Sequence, residues 1–253
     1  MDSGLKGKRV LVTGSTRGIG LATAKAMAAE GASVAIGSRD AAVVDTVVAD
    51  INAGGGHAVG SVLDVMDAKK YKTWIDASAD ALGGIDVFVH NVSVGGGMDG
   101  EKSWYDSFEV DLMGAVRGCE YAADHLHASD AGSVIFVSTT AAIETFMAPM
   151  AYNALKASLI TYAKQLDQAW GPHGTRVNCV SPGPIYFKGG AWERIRESQV
   201  EVYDATLAQM PNGRFGTLED VANSIVFIGS PLARNICGVN LVVDGGFTKR
   251  VQF

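Results

Sequence analysis

Short β-branched segments alternate with longer alanine-rich segments along the chain, and this alternation restricts the possible folds more than any other feature. The β-branched segments are RVLVTG (9–14), SVAIG (33–37), AVGSVLD (58–64), DVFVHN (86–91), SVIFVS (133–138), RVNCVS (176–181) and NLVVDG (240–245). Their nearly continuous apolar character is typical of strands that are covered on both faces. The segments between them, such as TWIDASADALGG, are apolar at helical spacing and close with glycine. The alternation predicts an α/β fold, a doubly wound parallel sheet of about seven strands with helices on both faces.

The composition fits a single globular domain over residues 1–253 and limits the possible partners. Of the 253 residues, 47% are hydrophobic and 19% are charged, which suits one full core. A net charge of −6 and the lack of a long lysine/arginine run argue against a nucleic-acid partner. Three cysteines without C-x-x-C spacing indicate neither a disulfide framework nor a metal site. We expect a cytoplasmic protein that binds no metal and has no signal peptide or membrane span.

A glycine-rich turn follows the first predicted strand. It reads TGSTRGIG, and Gly14, Gly18 and Gly20 precede a predicted helix. Glycine allows a tight turn and lets the backbone approach a pyrophosphate, whose charge would face the positive end of the helix. Glycine-rich turns also serve as plain connections, so the motif alone leaves both interpretations open. Its place between the first strand and the first helix favours dinucleotide binding.

Tyr152 and Lys156 are a candidate pair for acid–base chemistry. They lie four residues apart in AYNALKASLITYAKQL, whose helical pattern places both side chains on one face. A phenol holds its proton until about pH 10, and a nearby ammonium group favours its loss. Ser138 closes the fifth predicted strand, at the sheet edge where such folds bind ligands, which argues against an ordinary surface pair. Ser138 would hold a carbonyl oxygen while Tyr152 delivers a proton.

The chain resembles the short-chain dehydrogenase/reductase family along nearly its whole length. TGSTRGIG has the family's T-G-x-x-x-G-x-G spacing, YNALK supplies its Y-x-x-x-K, and NCVSPG and VDGG end the sixth and seventh strands. The resemblance implies a Rossmann-like fold, a homodimer or homotetramer, and interconversion of a small-molecule ketone and a secondary alcohol through a nicotinamide cofactor. It also implies that Lys156 binds the nicotinamide ribose and that Asp64 contacts the adenine ring.

The predicted cofactor contacts follow from this resemblance. Besides the tyrosine–lysine pair, they are Gly14, Ser15, Thr16, Arg17, Gly18, Ile19, Gly20, Ser38, Arg39, Asp64, Val65, Asn91, Pro182, Gly183 and Ile185. An acidic residue after the second strand would repel a 2′-phosphate, whereas Ser38 and Arg39, with Arg17 nearby, favour NADP(H) and leave NAD(H) possible. Asp40 is predicted to cap the next helix. The alternative is that Arg39 stacks on the adenine while Asp40 turns inward.

Three positions depart from the family pattern. Asp111 stands where the family usually has the asparagine of a proton relay, and an ionised carboxylate only accepts hydrogen bonds, so we expect a rewired relay. Phe187 stands where the family often has a threonine that bonds the carboxamide, which leaves the backbone of Ile185 for that contact. The motif HNVS (90–93) keeps only Asn91 of the family's N-N-A-G.

Other functions are separated by spacing and size. Enoyl reductases of the same superfamily place six residues between tyrosine and lysine, whereas this chain has three. Sugar-nucleotide epimerases need a larger C-terminal domain than the residues after Val180 can build. A non-catalytic sensor or scaffold would keep the glycine turn and lose the reacting side chains. An NAD-dependent alcohol dehydrogenase or a 3-oxoacyl reductase of the same family stays open.

One long segment interrupts the alternation of strands and helices. Between Gly183 and Gly216 no strand pattern appears, but two short helical patterns do, and we expect residues 184–216 to form a substrate lid. The residues expected around the substrate are largely apolar or aromatic and comprise 94–98, 143–150, Tyr186, Phe187, Trp192 and Tyr203. They favour a hydrophobic or ring-bearing ketone, unless many of them belong to the core.

Overall fold

A seven-stranded parallel sheet forms the centre of the computed structural model, which describes residues 2–97, 100–146 and 148–251. The strands are β1 (Arg9–Thr13), β2 (Ser33–Ser38), β3 (His57–Val62), β4 (Val87–His90), β5 (Ser133–Val137), β6 (Arg176–Pro182) and β7 (Asn240–Val243). They pair in the order β3-β2-β1-β4-β5-β6-β7, and each neighbouring pair is parallel. The fold is the Rossmann-like, doubly wound sheet that the sequence predicts.

Helices connect the strands. They are α1 (Gly18–Ala29), α2 (Ala41–Ala53), α3 (Ala68–Leu82), α4 (Glu101–Ser107), α5 (Gly114–His127), α6 (Ala151–Trp170), α7 (Ala191–Ser198), α8 (Val200–Leu207) and α9 (Leu218–Gly229). A π-helical turn, Phe108–Met113, joins α4 to α5. The carboxylate of Asp40 accepts a hydrogen bond from the backbone N–H of Val43 at 3.2 Å, which confirms its predicted role as the cap of α2. None of the helices in the described ranges is long and apolar enough to cross a bilayer.

Alternate residues of the central strands enter two cores, one on each face of the sheet. In β1, Val10 and Val12 pack with α1, α2 and α9, whereas Leu11 packs with α3, α5 and α6. In β5, Ile135 joins the first core and Phe136 joins the second. Because both faces are covered, the strands need apolar residues at every position, which is why they lack polar alternation.

The segment 184–216 carries the two short helices α7 and α8, as its pattern predicts. Its aromatic residues pack with residues from distant parts of the chain in an aromatic cluster that consists of Phe146, Tyr186, Trp192, Tyr203, Phe215 and Phe247. The rings of Trp192 and Phe215 have centroids 4.8 Å apart. The cluster ties the segment to the loop before α6 and to the end of the chain, and the role of the segment as a lid stays a prediction.

Candidate active site

The order of the strands reverses between β1 and β4, and a crevice opens at the carboxyl ends of strands at such a point. Asn91 follows β4 and spans this point, because its side-chain amide donates to the carbonyl oxygens of Thr13 and Gly14, both at 3.1 Å. Ser138 follows β5, and Gly183 follows β6, so these predicted site residues share one edge of the sheet.

The glycine turn lies at this edge and is tightly packed. Gly14 and Gly18 have φ angles of 64° and 55°, which favour glycine. A Cβ atom on Gly20 would lie 2.3 Å from the carbonyl oxygen of Gly14 and 2.5 Å from the side-chain nitrogen of Asn91. The hydroxyl of Ser15 accepts a hydrogen bond from the backbone of Gly37 at 2.9 Å, which fixes the turn to β2. The turn therefore keeps its backbone bare at the start of α1, as close approach to a phosphate group requires.

Two cations lie at the predicted adenosine end of the site. Arg17 precedes α1 and Arg39 follows β2, and both are exposed. Neither guanidinium group has an ion-pair partner among the residues that the structure describes. Since β1 and β2 are paired neighbours, the two side chains start from the same corner of the sheet. The nearby carboxylate of Asp40 is used as the helix cap.

The other predicted cofactor contacts are placed as follows. Asp64 and Val65 lie beyond β3, which ends at Val62 rather than at Asp64 as expected. The carboxylate of Asp64 accepts a hydrogen bond from the backbone of Met66 at 3.1 Å, and the Val65 side chain is buried. Thr16 is half-buried, and Ile19 packs against the core beside α1. Because the Val65 side chain is buried, Val65 can contact a cofactor only through its backbone.

Phe187 reaches the glycine turn. A Cβ atom on Gly18 would lie 3.2 Å from the end of the Phe187 ring. The backbone groups of Tyr186 and Pro184 pair with Gly216, at 3.0 and 2.9 Å, so Ile185 between them keeps its own N–H group out of this bridge. That N–H group is the donor that the sequence assigns to a carboxamide.

Hydrogen bonds join Ser138 to Lys156, and Lys156 to the end of β5. Ser138 is 3% exposed, and its hydroxyl donates to the backbone carbonyl of Lys156 at 2.8 Å. The Lys156 ammonium group donates to the carbonyl of Val137 at 2.9 Å. Tyr152 is half-buried in the first turn of α6, one turn before Lys156 and on the same face. The end of β5 and the start of α6 therefore present a hydroxyl, a phenol and an ammonium group together.

A buried carboxylate lies beside the lysine. The Oδ1 atom of Asp111 is 3.1 Å from the Nζ atom of Lys156, and the two side chains are 0% and 2% exposed. The ring of His90 donates from Nε2 to the backbone carbonyl of Asp111 at 3.0 Å, since a carbonyl only accepts. Burial and the Lys156 charge lower the pKa of His90 to about 3, so the ring is neutral at neutral pH. This direct ion pair was missed by the sequence interpretation, which expected an altered relay at Asp111.

The residues expected around a substrate are only partly free. Val94 is exposed, whereas Trp192 is buried in the aromatic cluster, and Met98 and Met147 lie outside the described residues. The guanidinium group of Arg194 donates to the carbonyl of Gly189, and Arg196 lies 5.0 Å from the centre of the Tyr186 ring. Both arginines therefore have partners inside the segment.

His127, at the end of α5, contacts two rings. His127 stacks on His173 with ring centres 4.2 Å apart, and it meets Trp170 edge-on at 4.8 Å. Within the described parts of the chain, no group of three or more histidine, cysteine or acidic residues is arranged to hold a metal ion.

Comparisons with known proteins extend over the whole site. A family model described as Enoyl-(Acyl carrier protein) reductase matches residues 14–248. The chain is 36% identical over 260 residues to isoepoxydon dehydrogenase of Penicillium expansum, with 100% of this chain and 99% of that protein covered. It is 32% identical over 252 residues to 2,5-dichloro-2,5-cyclohexadiene-1,4-diol dehydrogenase of Sphingobium indicum, with coverages of 98% and 99%. A crystal structure of a short chain dehydrogenase from Burkholderia cenocepacia in complex with NADP matches with a TM-score of 0.86 at 33% identity, with coverages of 96% and 99%.

We predict that Gly20→Ala destabilises the protein, because the added Cβ atom has no space between Gly14 and Asn91. Overpacking against backbone should lower the free energy of unfolding by about 1–3 kcal/mol, measured by urea denaturation. The matched control is Gly171→Ala, since a Cβ atom there meets nothing within 4 Å and the backbone is already helical. A Gly20→Ala protein as stable as the control would contradict the tight packing of the turn.

Proposed function

The chain belongs to the short-chain dehydrogenase/reductase family, and we propose that it interconverts a ketone and a secondary alcohol by hydride transfer with NADP(H). The observation that carries this proposal is the hydrogen-bonded contact between the end of β5 and the start of α6. There, the hydroxyl of Ser138 bonds the backbone of Lys156, one helical turn from Tyr152. Related proteins of this family that are named dehydrogenases, at 36% and 32% identity, support the reaction class.

The roles of the three side chains follow from the charge that develops during reduction. When bound, NADPH supplies the hydride that reaches the carbonyl carbon. Ser138 donates a hydrogen bond to the carbonyl oxygen of the substrate. To do so, its hydroxyl must first give up its bond to the backbone carbonyl of Lys156. Tyr152 gives its proton to the same oxygen as negative charge develops there. In the reverse direction, the tyrosine takes the proton of the alcohol.

Lys156 contributes a fixed positive charge to the site. Its bond to the Val137 carbonyl and its contact with Asp111 hold the ammonium group on the side of α6 that faces β5. Of its three N–H groups, at least one has no hydrogen-bond acceptor among the residues described. We assign that group to the hydroxyls of the nicotinamide ribose.

The glycine turn, Arg17 and Arg39 fit a phosphorylated dinucleotide. The packing around Gly14 and Gly20 leaves no room for side chains beside the backbone, which suits a pyrophosphate at the start of α1. Arg39 and Arg17 start from the same corner of the sheet, and neither has an ion-pair partner among the described residues, while the carboxylate of Asp40 caps its own helix. A 2′-phosphate is the group that such cations recognise. The related Burkholderia cenocepacia enzyme, which holds NADP, supports the same choice.

Enoyl reduction is the second candidate, since the description of the matching family model names it. The spacing of Tyr152 and Lys156 argues against it, because three residues separate them, whereas enoyl reductases of the same superfamily have six. With three residues between, both side chains leave α6 on one face, at the end where Ser138 lies. We therefore place carbonyl reduction first.

A ring-bearing substrate is the proposal that the surroundings favour. Half-buried aromatic side chains support this proposal, namely Tyr186 and Phe187 on the segment 184–216 and Phe146 in the loop before α6. The related Sphingobium indicum enzyme is named for a cyclohexadiene diol, which is a ring-bearing secondary alcohol. Assembly as a homodimer or homotetramer and a cytoplasmic location stay predictions.

Tyr152→Phe should abolish turnover while cofactor binding persists. Loss of the acid/base group lowers kcat/KM by about 10²–10⁴-fold in such reactions, and steady-state kinetics with NADPH and a ketone measures it. Tyr162→Phe is the matched control, because Tyr162 lies on the same helix but stacks on Phe136 in the core. Full activity in Tyr152→Phe would exclude Tyr152 as the acid/base residue.

Arg39→Ala should weaken NADPH binding and spare NADH binding. Loss of a charge-assisted contact at an exposed site predicts a rise of about tenfold in the Kd for NADPH, with the Kd for NADH nearly unchanged. Fluorescence titration of both cofactors measures the two values. Arg234→Ala serves as the control, since Arg234 is exposed near the start of β6, at the opposite edge of the sheet. An unchanged Kd for NADPH would refute the phosphate contact.

A further inference from the structure

A buried ion pair lies one helical turn from the proposed acid/base residue, because Lys156 is one of its members. Lys156 and Asp111 approach to 3.1 Å with almost no exposed surface on either side chain. The contact is an ion pair without the alignment of a hydrogen bond, because neither carboxylate oxygen of Asp111 receives a hydrogen bond within the described residues. An ionised carboxylate that is buried in this way needs a cation beside it, and Lys156 is that cation.

The backbone holds Asp111 in an unusual conformation. Asp111 lies in the π-helical turn between α4 and α5. Such turns are rare in proteins, and those that occur are often found at functional sites. His90, at the end of β4, fixes this turn by donating to the Asp111 carbonyl at 3.0 Å. The carboxylate is therefore directed at Lys156 by two elements, the turn and the strand.

The other ionisable groups near the pair do not balance the positive charge of Lys156, so Asp111 does. The low pKa of His90 keeps that ring neutral. Burial raises the pKa of the Cys179 thiol, which lies near Lys156 on β6, so it too is uncharged. Glu109, in the same π-helical turn, pairs instead with Arg117 at 2.8 Å on the partly exposed side. Lys156 and Asp111 thus form a unit of zero net charge one helical turn from the phenol of Tyr152.

We propose that Asp111 is a positioning residue that neutralises Lys156 and so weakens the pull of the ammonium group on the Tyr152 proton. This inference rests on the proposed function, in which Tyr152 is the acid/base residue. An ammonium group favours a nearby phenolate, and a carboxylate disfavours it. In this chain the two effects oppose each other, so that the positive charge of the oxidised nicotinamide becomes the main partner of the phenolate.

Asp111→Asn tests the proposal through the pH dependence of the reaction. Oxidation of an alcohol needs the phenolate, so kcat/KM with NADP⁺ rises with pH, whereas reduction of a ketone falls. With the carboxylate removed, the ammonium group acts unopposed and the phenolate forms more readily. The midpoints of both profiles should therefore move to lower pH by about one unit. A merely structural role would change the activity at each pH without moving the midpoints.

Glu109→Gln is the matched control, since it removes one negative charge from the same turn at a site that is paired with Arg117. Its midpoints should equal those of the wild-type protein. Midpoints of Asp111→Asn that stay at the wild-type value, or move to higher pH, overturn the proposal. An equal displacement in Glu109→Gln overturns it as well, because the effect would then be one of overall charge.

Two further measurements keep the outcomes distinct. Asp111→Ser removes the same charge from a smaller side chain and replaces Asp111→Asn as the test if that variant does not fold. A failure of the proposed function would differ, because the wild-type protein would then show no NADP-dependent turnover, or Tyr152→Phe would retain it, at every pH. Normal wild-type turnover with unmoved midpoints in the Asp111 variants would refute the role of Asp111 alone.

Discussion

Two hydrogen bonds hold Ser138 and Lys156 together where the end of β5 meets α6. The Ser138 hydroxyl donates to the carbonyl of Lys156, and the Lys156 ammonium group donates to the carbonyl of Val137. The acceptor of the first bond is a backbone carbonyl inside α6, and the acceptor of the second is the backbone carbonyl at the end of β5. The position of α6 on the sheet, and with it the place of Tyr152, therefore depends on the same groups to which we propose to assign the chemistry.

Charge is distributed unevenly between the two ends of the site. At the catalytic end the cation is buried and paired, because Lys156 meets Asp111. At the adenosine end, Arg17 and Arg39 are exposed and unpaired within the described ranges. An unpaired, solvated cation can exchange water for a phosphate, whereas a buried pair resists rearrangement. The candidate site thus combines a proposed cofactor end, with cations that can attract an anion, and a proposed catalytic end of balanced charge.

Much of the fold and of the site could be predicted because it depends on local pattern. Parallel strands end at one sheet edge, so Ser138 and Asn91 could be assigned to that edge from the order of strands. Tyr152 and Lys156 share a face because helical spacing requires it. Asp40 could be assigned as a cap from its place between a strand and a helix, and it accepts the expected hydrogen bond.

The rest depends on contacts that no local pattern encodes. The segment FEVDLM reads as ordinary helix, and its π-helical turn, which brings Asp111 to Lys156, becomes visible only in three dimensions. The aromatic cluster joins Phe146 to Trp192 and Phe247, which are far apart in the sequence. Sequence alone suggested that Trp192 borders a substrate, whereas packing with these distant rings buries it.

We propose that this family member reduces a carbonyl group with NADPH. The most direct measurement follows nicotinamide absorbance while the purified protein is given a panel of ring ketones, a matched enoyl thioester, and either NADPH or NADH. We expect the protein to oxidise NADPH in the presence of a ring ketone, and to do so faster than it oxidises NADH, whereas the enoyl thioester should cause no oxidation. Oxidation of NADPH by the enoyl thioester but by none of the ketones would contradict the proposal. Failure of every ketone in the panel to oxidise NADPH would contradict it as well.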